Sequence, residues 1–306
     1  MVERGLRRSA VWLVSGVALG MAERVPGASA ASLAIALGAY PQLLQGLGGM
    51  YVVQRDGSRW APLAVVGMVL AGLGVCQFLV MLGGFCCTTW FGDAVLPRAF
   101  WFGFLTVAAP LIAARVRRWS LAPAALLLLG TLVGVVLGRV ELAQVDRSPG
   151  DAFVGTVAGA AALLVPGGFG LSALRASGLI DHAAAAFGHA DVWFLALFAA
   201  GLIAGVVLAA RLLHRLLRRF PDPLLAWLLG VMCSGLPRAW PWQRVDAYTL
   251  TAGGDTAAVA TTPLWPWQYF AATGADASSL PACAVMLVAG LLALLVARGT
   301  GYAAAP

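Results

Sequence analysis

The sequence predicts an all-α polytopic membrane protein with two inverted-topology repeats, each containing a Pro-Gly-broken re-entrant helical hairpin, plus about six full spans. Of its 306 residues, 61% are hydrophobic and 11% are charged, which is more apolar sequence than a soluble domain of this size buries. Apolar segments follow one another along the chain, and one Pro-Gly motif occurs twice. We therefore expect a single membrane domain over 1–306, with repeats at about 9–138 and 150–298 and an external loop at 237–279.

The repeated motif lies within apolar sequence in both halves. Residues 23–32 read Glu-Arg-Val-Pro-Gly-Ala-Ser-Ala-Ala-Ser, and residues 163–172 read Leu-Leu-Val-Pro-Gly-Gly-Phe-Gly-Leu-Ser. Seven residues recur at an offset of 140: Ala22, Val25, Pro26, Gly27, Ser32, Ala36 and Gly38 match Ala162, Val165, Pro166, Gly167, Ser172, Ala176 and Gly178. Because the offset of 140 residues is kept as far as Gly38 and Gly178, the pattern indicates an internal duplication.

Pro26-Gly27 and Pro166-Gly167 each predict a helix break inside the membrane. Proline removes a backbone donor and clashes with the preceding turn, and glycine lets the backbone leave the helix. In hydrocarbon, the freed backbone groups are tolerated only where protein or water satisfies them. Matched breaks in two halves are typical of a transporter's central site. A tight turn between two helices, or a simple proline kink, is the alternative.

The breaks divide the chain into two hairpins and six spans. The first hairpin has arms at Ser9–Val25 and Ala28–Leu44, each short for a core of ~30 Å, and the second covers Ala152–Phe187. The first arm also resembles a signal peptide, but the recurrence of its motif favours an uncleaved segment. The predicted spans are Trp60–Leu82, Pro97–Ala114, Leu121–Gly138, Val192–Leu213, Pro223–Leu236 and Leu280–Ala297.

The external loop carries Trp-Pro-Trp-Gln twice, at 240–243 and 265–268. Tryptophan prefers the membrane–water interface, so both copies are expected at headgroup level. A lid or a lipid-entry surface is the alternative interpretation.

The arginines predict the orientation. Inner loops and tails hold thirteen of them and outer loops five, namely Arg98, Arg139, Arg147, Arg238 and Arg244. This bias predicts cytoplasmic N- and C-termini. Since three spans separate the hairpins, the first hairpin enters from the cytoplasm and the second from outside, as an inverted repeat requires.

A phosphate-binding site is expected between the two hairpins. The charged residues in their apolar stretches are Glu23, Arg24 and Arg175, and an intramembrane arginine usually has a partner or a ligand. Helix starts after each proline would supply backbone donors, and the guanidinium fork suits phosphate. The full predicted set is Arg24, Arg175, Ser29, Ser32, Ser172, Gly27 and Gly167, with Glu23 for coupling or pairing and Pro26 and Pro166 as the breaks. Alternatively, the arginines merely neutralise Glu23.

Enzymatic function is not expected. The sequence has no Ser/His/Asp grouping and no glycine-rich loop followed by lysine, and its five cysteines lack metal-ligand spacing. We therefore predict no catalytic residues, no metal and no cofactor. The net charge of +7 is loop charge that orients the chain, so no nucleic-acid partner is expected.

Three stretches resemble the prokaryotic polyprenyl-phosphate transporter family. They are 16–44 with its Glu23-to-Ser29 motif, 161–167 around the second Pro-Gly, and 235–242 with its Trp-Pro-Trp. The family's first motif usually continues Ser-Gly-Gly-Thr, where this chain has Ser-Ala-Ala-Ser. The resemblance implies a flippase that returns undecaprenyl phosphate, a carrier lipid of cell-wall synthesis, from the outer to the inner leaflet of the bacterial cytoplasmic membrane.

The expected partners are therefore membrane lipid and the polyprenyl phosphate substrate. A proton or sodium ion could be coupled to transport, and the protein could form a homo-oligomer. A secondary transporter or channel for a small soluble anion would use the same arginines and is the first alternative. A membrane assembly partner without transport activity is the second.

Overall fold

The computed structural model describes residues 29–48, 95–137, 149–250 and 256–299. The first arm of the first hairpin and the predicted span at 60–82 lie outside the described residues. The elements are α1 (Ala30–Ala36), α2 (Tyr40–Leu47), α3 (Val95–Ala113), α4 (Leu121–Leu137), α5 (Pro149–Leu163), α6 (Phe169–Ala176), α7 (Leu179–Gly188), α8 (Val192–Arg219), α9 (Pro221–Ala239), β1 (Gln243–Leu250), β2 (Thr256–Pro263), α10 (Pro266–Thr273) and α11 (Ser279–Gly299). The described chain is mostly helical, in agreement with the predicted class.

Two helices, α3 and α8, are long and apolar enough to cross a membrane by length and composition. Helices α4, α9 and α11 lie where three further spans are predicted. Large apolar side chains such as Leu121, Leu128, Leu280 and Leu287 are exposed on α4 and α11. An exposed apolar surface of this kind is expected to face lipid. The total of six spans stays a prediction.

Helices α4 and α9 pack side by side in the same direction. A Cβ at Gly130 would lie 2.3 Å from the carbonyl oxygen of Trp227, and one at Gly134 would meet the side chain of Ser234. Residue numbers thus rise together along the contact, which makes the pair parallel. Small residues let two helix backbones approach closely, as is usual in membrane proteins.

Helices α3 and α11 form a second parallel pair. A Cβ at Gly103 would lie 2.4 Å from the carbonyl oxygen of Met286, and one at Gly290 would lie 2.9 Å from Val107. Helix α3 also packs against α9. Each of the two pairs therefore joins a helix from one half of the chain to a helix from the other.

Helices α5 and α6 form an antiparallel hairpin around the second Pro-Gly break. A Cβ at Gly159 would contact Leu174, and one at Gly170 would lie 2.3 Å from the backbone nitrogen of Leu163. The turn between them is 164–168. The region predicted as a hairpin, Ala152–Phe187, thus contains two antiparallel helices, α5 and α6, followed by a third helix, α7.

Helix α8 runs parallel to α5. A Cβ at Gly201 would meet Thr156, and one at Gly205 would meet Ala160. Because both helices point the same way, the chain between the end of α5 and the start of α8 returns to the end at which α5 begins. That the hairpin is re-entrant in the membrane stays a prediction.

The same local pattern occurs in both halves. Gly38, with a φ of 71°, separates α1 from α2, and Gly178, with a φ of 72°, separates α6 from α7. These left-handed conformations favour glycine. The two glycines are 140 residues apart, which is the offset of the sequence repeat. The internal duplication therefore has a structural counterpart, while its inversion across the membrane stays a prediction.

The predicted external loop is more ordered than expected. Helix α9 continues to Ala239, and an antiparallel β-hairpin follows, with Gln243 paired to Pro263 and a bulge near Ala247. Val, Tyr and Thr are frequent in these strands, and such residues favour strand conformation. The mostly helical chain thus contains one strand pair, at 243–250 and 256–263, where a loop is predicted.

Candidate functional site

Ser29 and Ser32, which follow the first predicted break, meet the second break at a buried cluster of backbone and hydroxyl groups. The Gly167 amide donates to Ser29 Oγ at 3.2 Å and to Ser32 Oγ at 3.3 Å. The two hydroxyl oxygens lie 2.8 Å apart. Ser29 is 2% exposed and Ser32 is 0% exposed. Residues from the two copies of the motif are therefore joined directly, away from solvent.

Local sequence accounts for each side of this contact. Ser29 is the N-cap of α1, and its Oγ accepts from the Ser32 amide at 3.1 Å, a role that serine commonly has. Gly167 and Gly168 have φ values of 104° and 74°, so the turn after Pro166 depends on glycine. This turn directs the Gly167 amide out of the hairpin and toward the serines.

A second hydrogen bond joins the same two regions. The Tyr40 hydroxyl donates to the carbonyl oxygen of Leu164 at 2.7 Å, and Tyr40 is 2% exposed. Leu164 follows the last residue of α5, where helix carbonyls have no partner within the helix. The tyrosine satisfies one of them and fixes α2 against the second break.

Two arginines donate hydrogen bonds to backbone carbonyls at the C-terminal ends of α1 and α2. Arg115 donates from Nη1 and Nη2 to the carbonyls of Ile35 and Ala36, at 2.7 and 3.0 Å. Arg211 Nε donates to the Gly48 carbonyl at 2.8 Å. Cations at helix C-termini satisfy free carbonyls and favour the helix dipole. These two arginines, which the sequence places in inner loops, therefore have structural roles.

The predicted phosphate ligands are only partly brought together. Ser29, Ser32 and Gly167 meet, but their hydrogen-bonding groups engage one another in this conformation. Ser172 and Arg175 lie on α6, whose start follows Pro166 by three residues. Four further predicted residues, Glu23, Arg24, Pro26 and Gly27, lie outside the described residues. The role of this set in binding phosphate stays a prediction.

Arg238 is a cation near the second break that the sequence analysis does not include in the site. Its guanidinium carbon lies 4.8 Å from the ring centroid of Phe169, the first residue of α6. Arg238 is predicted to lie just beyond a span that ends at Leu236, but α9 extends to Ala239 and includes it, while its outer position stays a prediction. One feature of the sequence points to Arg238 as a site residue, namely its position inside the 235–242 stretch that resembles the family.

The first Trp-Pro-Trp-Gln segment ties the β-hairpin to the end of α9. Gln243 Nε2 donates to the carbonyls of Pro237 and Arg238, at 3.0 and 2.7 Å. Trp240 Nε1 donates to the Leu264 carbonyl at 2.8 Å, and Trp242 Nε1 donates to a carbonyl just before α11. The segment therefore has a clear structural role, whether or not it also contacts lipid.

The described residues contain no group of three His, Cys, Asp or Glu side chains that could hold a metal ion. What the site offers is two hydroxyl groups, a backbone amide and the Arg238 guanidinium over Phe169. These groups can bind an anion by hydrogen bonds and charge.

Comparison with known proteins places the chain in a family. A family model described as undecaprenyl phosphate translocase-like matches residues 19–257. A polyprenyl-phosphate transporter from Vibrio cholerae serotype O1 is 22% identical over 288 residues, covering 92% of this chain and 94% of that protein. No solved structure matches the chain. Because the family match covers most of the sequence, including both Pro-Gly breaks, the chain belongs to the undecaprenyl phosphate translocase-like family.

Proposed function

We propose that this protein is a flippase that returns undecaprenyl phosphate, or a closely related polyprenyl phosphate, from the outer to the inner leaflet of the bacterial cytoplasmic membrane. The family match and the Vibrio relative support a polyprenyl phosphate as the cargo. The observation that carries the mechanism is the buried contact of the Gly167 amide with Ser29 and Ser32. This contact supports placing the headgroup where Gly167 meets Ser29 and Ser32.

The phosphate would replace the serines as the partner of the Gly167 amide. A buried amide must keep a hydrogen-bond acceptor, so the two halves can separate at low cost only if another acceptor takes the place of Ser29 and Ser32. A phosphate oxygen is such an acceptor. Opening would also free the two hydroxyls to donate to the phosphate, while Arg24, Arg175 and Arg238 supply positive charge.

Pairing of helices between the halves supports an inverted repeat. In the predicted layout, α3 and α9 are the second spans of their halves, and α4 and α11 are the third. The observed parallel pairs are α3 with α11 and α4 with α9. A two-fold axis that exchanges the halves would exchange these pairs. Rocking one half against the other would then expose the headgroup site to each leaflet in turn.

The remaining parts of the proposal follow from this role. Both termini are cytoplasmic, and the protein moves its substrate without chemical change, so it is not an enzyme. The lipid tail stays in the hydrocarbon while the headgroup crosses. A proton or sodium gradient could supply the driving force, and the unit could work as a homo-oligomer.

The test is leaflet-resolved transport of fluorescent undecaprenyl phosphate in proteoliposomes. A Ser29→Ala/Ser32→Ala variant removes both hydroxyls and should reduce the rate by about tenfold or more, since charge-assisted hydrogen bonds to the headgroup are lost. Ser177→Ala is the matched control, because the Ser177 hydroxyl bonds only within its own turn, to Leu174 at 3.1 Å. It should transport normally.

Two results would contradict the proposal. One is a normal transport rate in the double serine variant. The other is uptake of inorganic phosphate into the vesicles without lipid transport, which would favour a soluble-anion carrier. Thermal melting of each variant separates loss of binding from loss of folding.

A further inference from the structure

An aromatic groove opens between α3, α9 and the end of β2. Its volume is about 550 Å³, within the range of small-molecule sites. It is lined by Phe102, Thr106, Cys233, Leu236, Pro237, Trp240, Pro263, Leu264 and Trp265. Nearly all of the lining is apolar, so the groove suits a hydrocarbon chain.

The aromatic walls of the groove are held in place. The Trp240 ring meets Phe102 edge-on, with centroids 5.0 Å apart, and lies 6.1 Å from Trp265. The hydrogen bond from Trp240 Nε1 to the Leu264 carbonyl fixes the ring against β2. A rigid groove loses little side-chain entropy when a ligand binds.

A partly buried arginine lies one helical turn from this groove. Arg98 precedes Phe102 by four residues on α3, about 6 Å of helix rise on the same face. Its Nε is buried and has no hydrogen-bond partner among the described residues. The Tyr269 ring is within electrostatic range, and among the described residues no carboxylate lies within ion-pair distance of Arg98.

The position of Arg98 is unfavourable without a ligand. It is the fourth residue of α3, where the helix dipole disfavours a positive charge. The buried Nε of Arg98 also requires a hydrogen-bond acceptor. An anion at this point would satisfy both requirements.

We propose that Arg98 and the aromatic groove form a loading site for polyprenyl phosphate on the outer-leaflet side, with the phosphate at Arg98 and the adjoining isoprenyl units in the groove. This inference rests on the proposed function for its orientation, which puts the start of α3 and the end of α9 outside. The groove then extends from the headgroup level toward the membrane centre, from Trp240 to Cys233 over about 10 Å. A lipid in the outer leaflet likewise has its charged headgroup at the membrane surface and its chain toward the membrane centre.

The chemistry favours a polyprenyl monophosphate over an ordinary phospholipid. A phosphomonoester carries about −1.5 to −2 charges at pH 7, whereas a phosphodiester carries a single charge. The methyl-branched prenyl chain is also wider than a linear acyl chain and makes more contact with the rings of Phe102, Trp240 and Trp265. Charge and shape together select the carrier lipid.

Binding is tested in nanodiscs of phosphatidylethanolamine with photoactivatable undecaprenyl phosphate that carries its reactive group near the phosphate end. Mass spectrometry should map the adducts to Phe102 or to the Leu236–Trp240 segment. Arg98→Gln should weaken binding about tenfold, and Arg98→Lys should restore part of it. Arg118→Gln, at an exposed arginine before α4, is the matched control and should bind normally.

Competing lipids identify the ligand. Unlabelled undecaprenyl phosphate should displace the probe, and undecaprenol should compete weakly and equally well in Arg98→Gln and in the unchanged protein. Displacement by phosphatidylglycerol at equal concentration would reject the selection of a monophosphate. Cys233→Trp, which fills the groove, should abolish labelling there, while Cys233→Ser should keep it; normal labelling in Cys233→Trp would overturn the site.

Transport assays separate this inference from the proposed function. If Arg98 loads the lipid, Arg98→Gln should raise the half-saturating lipid concentration and leave the maximal rate nearly unchanged. Transport that is normal at every concentration in Arg98→Gln would reject the loading site alone. Absence of transport by the unchanged protein, with mapped labelling at the groove, would reject the flippase function and leave the binding site standing.

Discussion

The Tyr40 hydroxyl donates a hydrogen bond of 2.7 Å to the carbonyl oxygen of Leu164. The two residues are 124 positions apart, and they connect the first copy of the duplicated segment to the second break. Together with the Gly167–serine contact, this bond joins the segment after the first predicted break to the second break. It is also the contact that a single conservative substitution tests most directly.

Tyr40→Phe should destabilise the protein by about 1–3 kcal/mol, because the Leu164 carbonyl would stay buried without its donor. Thr131→Val is the matched control, since the Thr131 hydroxyl bonds only to Leu127 one turn back in the same helix. Thermal unfolding in detergent should show a clearly lower melting temperature for Tyr40→Phe than for Thr131→Val. Equal melting temperatures would mean that this bond contributes nothing beyond an ordinary helix hydroxyl.

The close packing between α4 and α9 predicts a second contrast in stability. A Cβ at Gly130 would lie 2.3 Å from the Trp227 carbonyl, whereas one at Gly150 would meet nothing within 4 Å. Gly130→Ala should therefore cost about 1–3 kcal/mol through overpacking. Gly150→Ala should be neutral or slightly stabilising, because alanine favours helix over glycine.

Denaturation of both variants under identical conditions measures this difference. If Gly130→Ala melts at the temperature of Gly150→Ala, the two helices do not pack as closely as described. Support for the inverted repeat from pairing between the halves would then be lost as well.

Much of the helical layout could be predicted from the sequence. The span predicted at Pro97–Ala114 is α3 at Val95–Ala113, because a long apolar segment in a membrane must be helical. The duplication could also be recognised, since the left-handed turns at Gly38 and Gly178 require the same residue at the same offset. These features could be predicted because they depend on the local sequence and on the apolar surroundings of the membrane.

The features that were missed depend on contacts distant in the sequence. The sequence predicts a span that ends at Leu236, but Gln243 binds the carbonyls of Pro237 and Arg238, and the helix continues to Ala239. The β-hairpin was missed because small and threonine-rich strands resemble a loop until they pair. The partners of Ser29 and Ser32 lie more than 130 residues away, and one sequence without relatives does not reveal such pairs.

The predicted orientation can be tested with single cysteines in a background lacking the five native ones. Arg117, in the exposed turn between α3 and α4, should be labelled only from the cytoplasm when replaced by cysteine. Ala247, on the exposed β-hairpin, should be labelled only from outside. A membrane-impermeant maleimide on intact cells and on inverted vesicles gives the measurement, and labelling of both positions from one side would refute the topology.

The β-hairpin should lose stability in acid. The hydrogen bond from the Thr262 hydroxyl, and then that from Arg244, lowers the pKa of the Asp246 carboxyl. The pKa of Asp246 in the folded hairpin is below the unfolded value of about 3.9. The stabilisation of the hairpin by the ionised Asp246 carboxylate is therefore complete above about pH 4, and it is lost as the pH falls through the folded pKa. Asp246→Asn should remove this dependence.

Limited proteolysis of the hairpin between pH 7 and pH 3 provides the measurement. The unchanged protein should be cleaved faster only at the acid end, and Asp246→Asn should be cleaved at the same rate throughout. Because Asp246 is exposed, we expect a small effect. Equal acid sensitivity in both proteins would show that another group is responsible.

The last prediction concerns Arg24 and Arg175. If they share the lipid phosphate, replacing either with alanine should abolish transport and leave folding intact, and lysine should restore only part of the rate because it lacks the planar two-pronged donor. If they only neutralise Glu23, then Glu23→Gln should make the alanine replacements less harmful, as coupling between paired residues requires. Transport in proteoliposomes and melting temperature, measured on the same variants, separate the two cases. Full transport by Arg24→Ala/Arg175→Ala would remove both residues from the site and leave Arg238, whose guanidinium lies over the Phe169 ring, as the remaining cation of the proposed site.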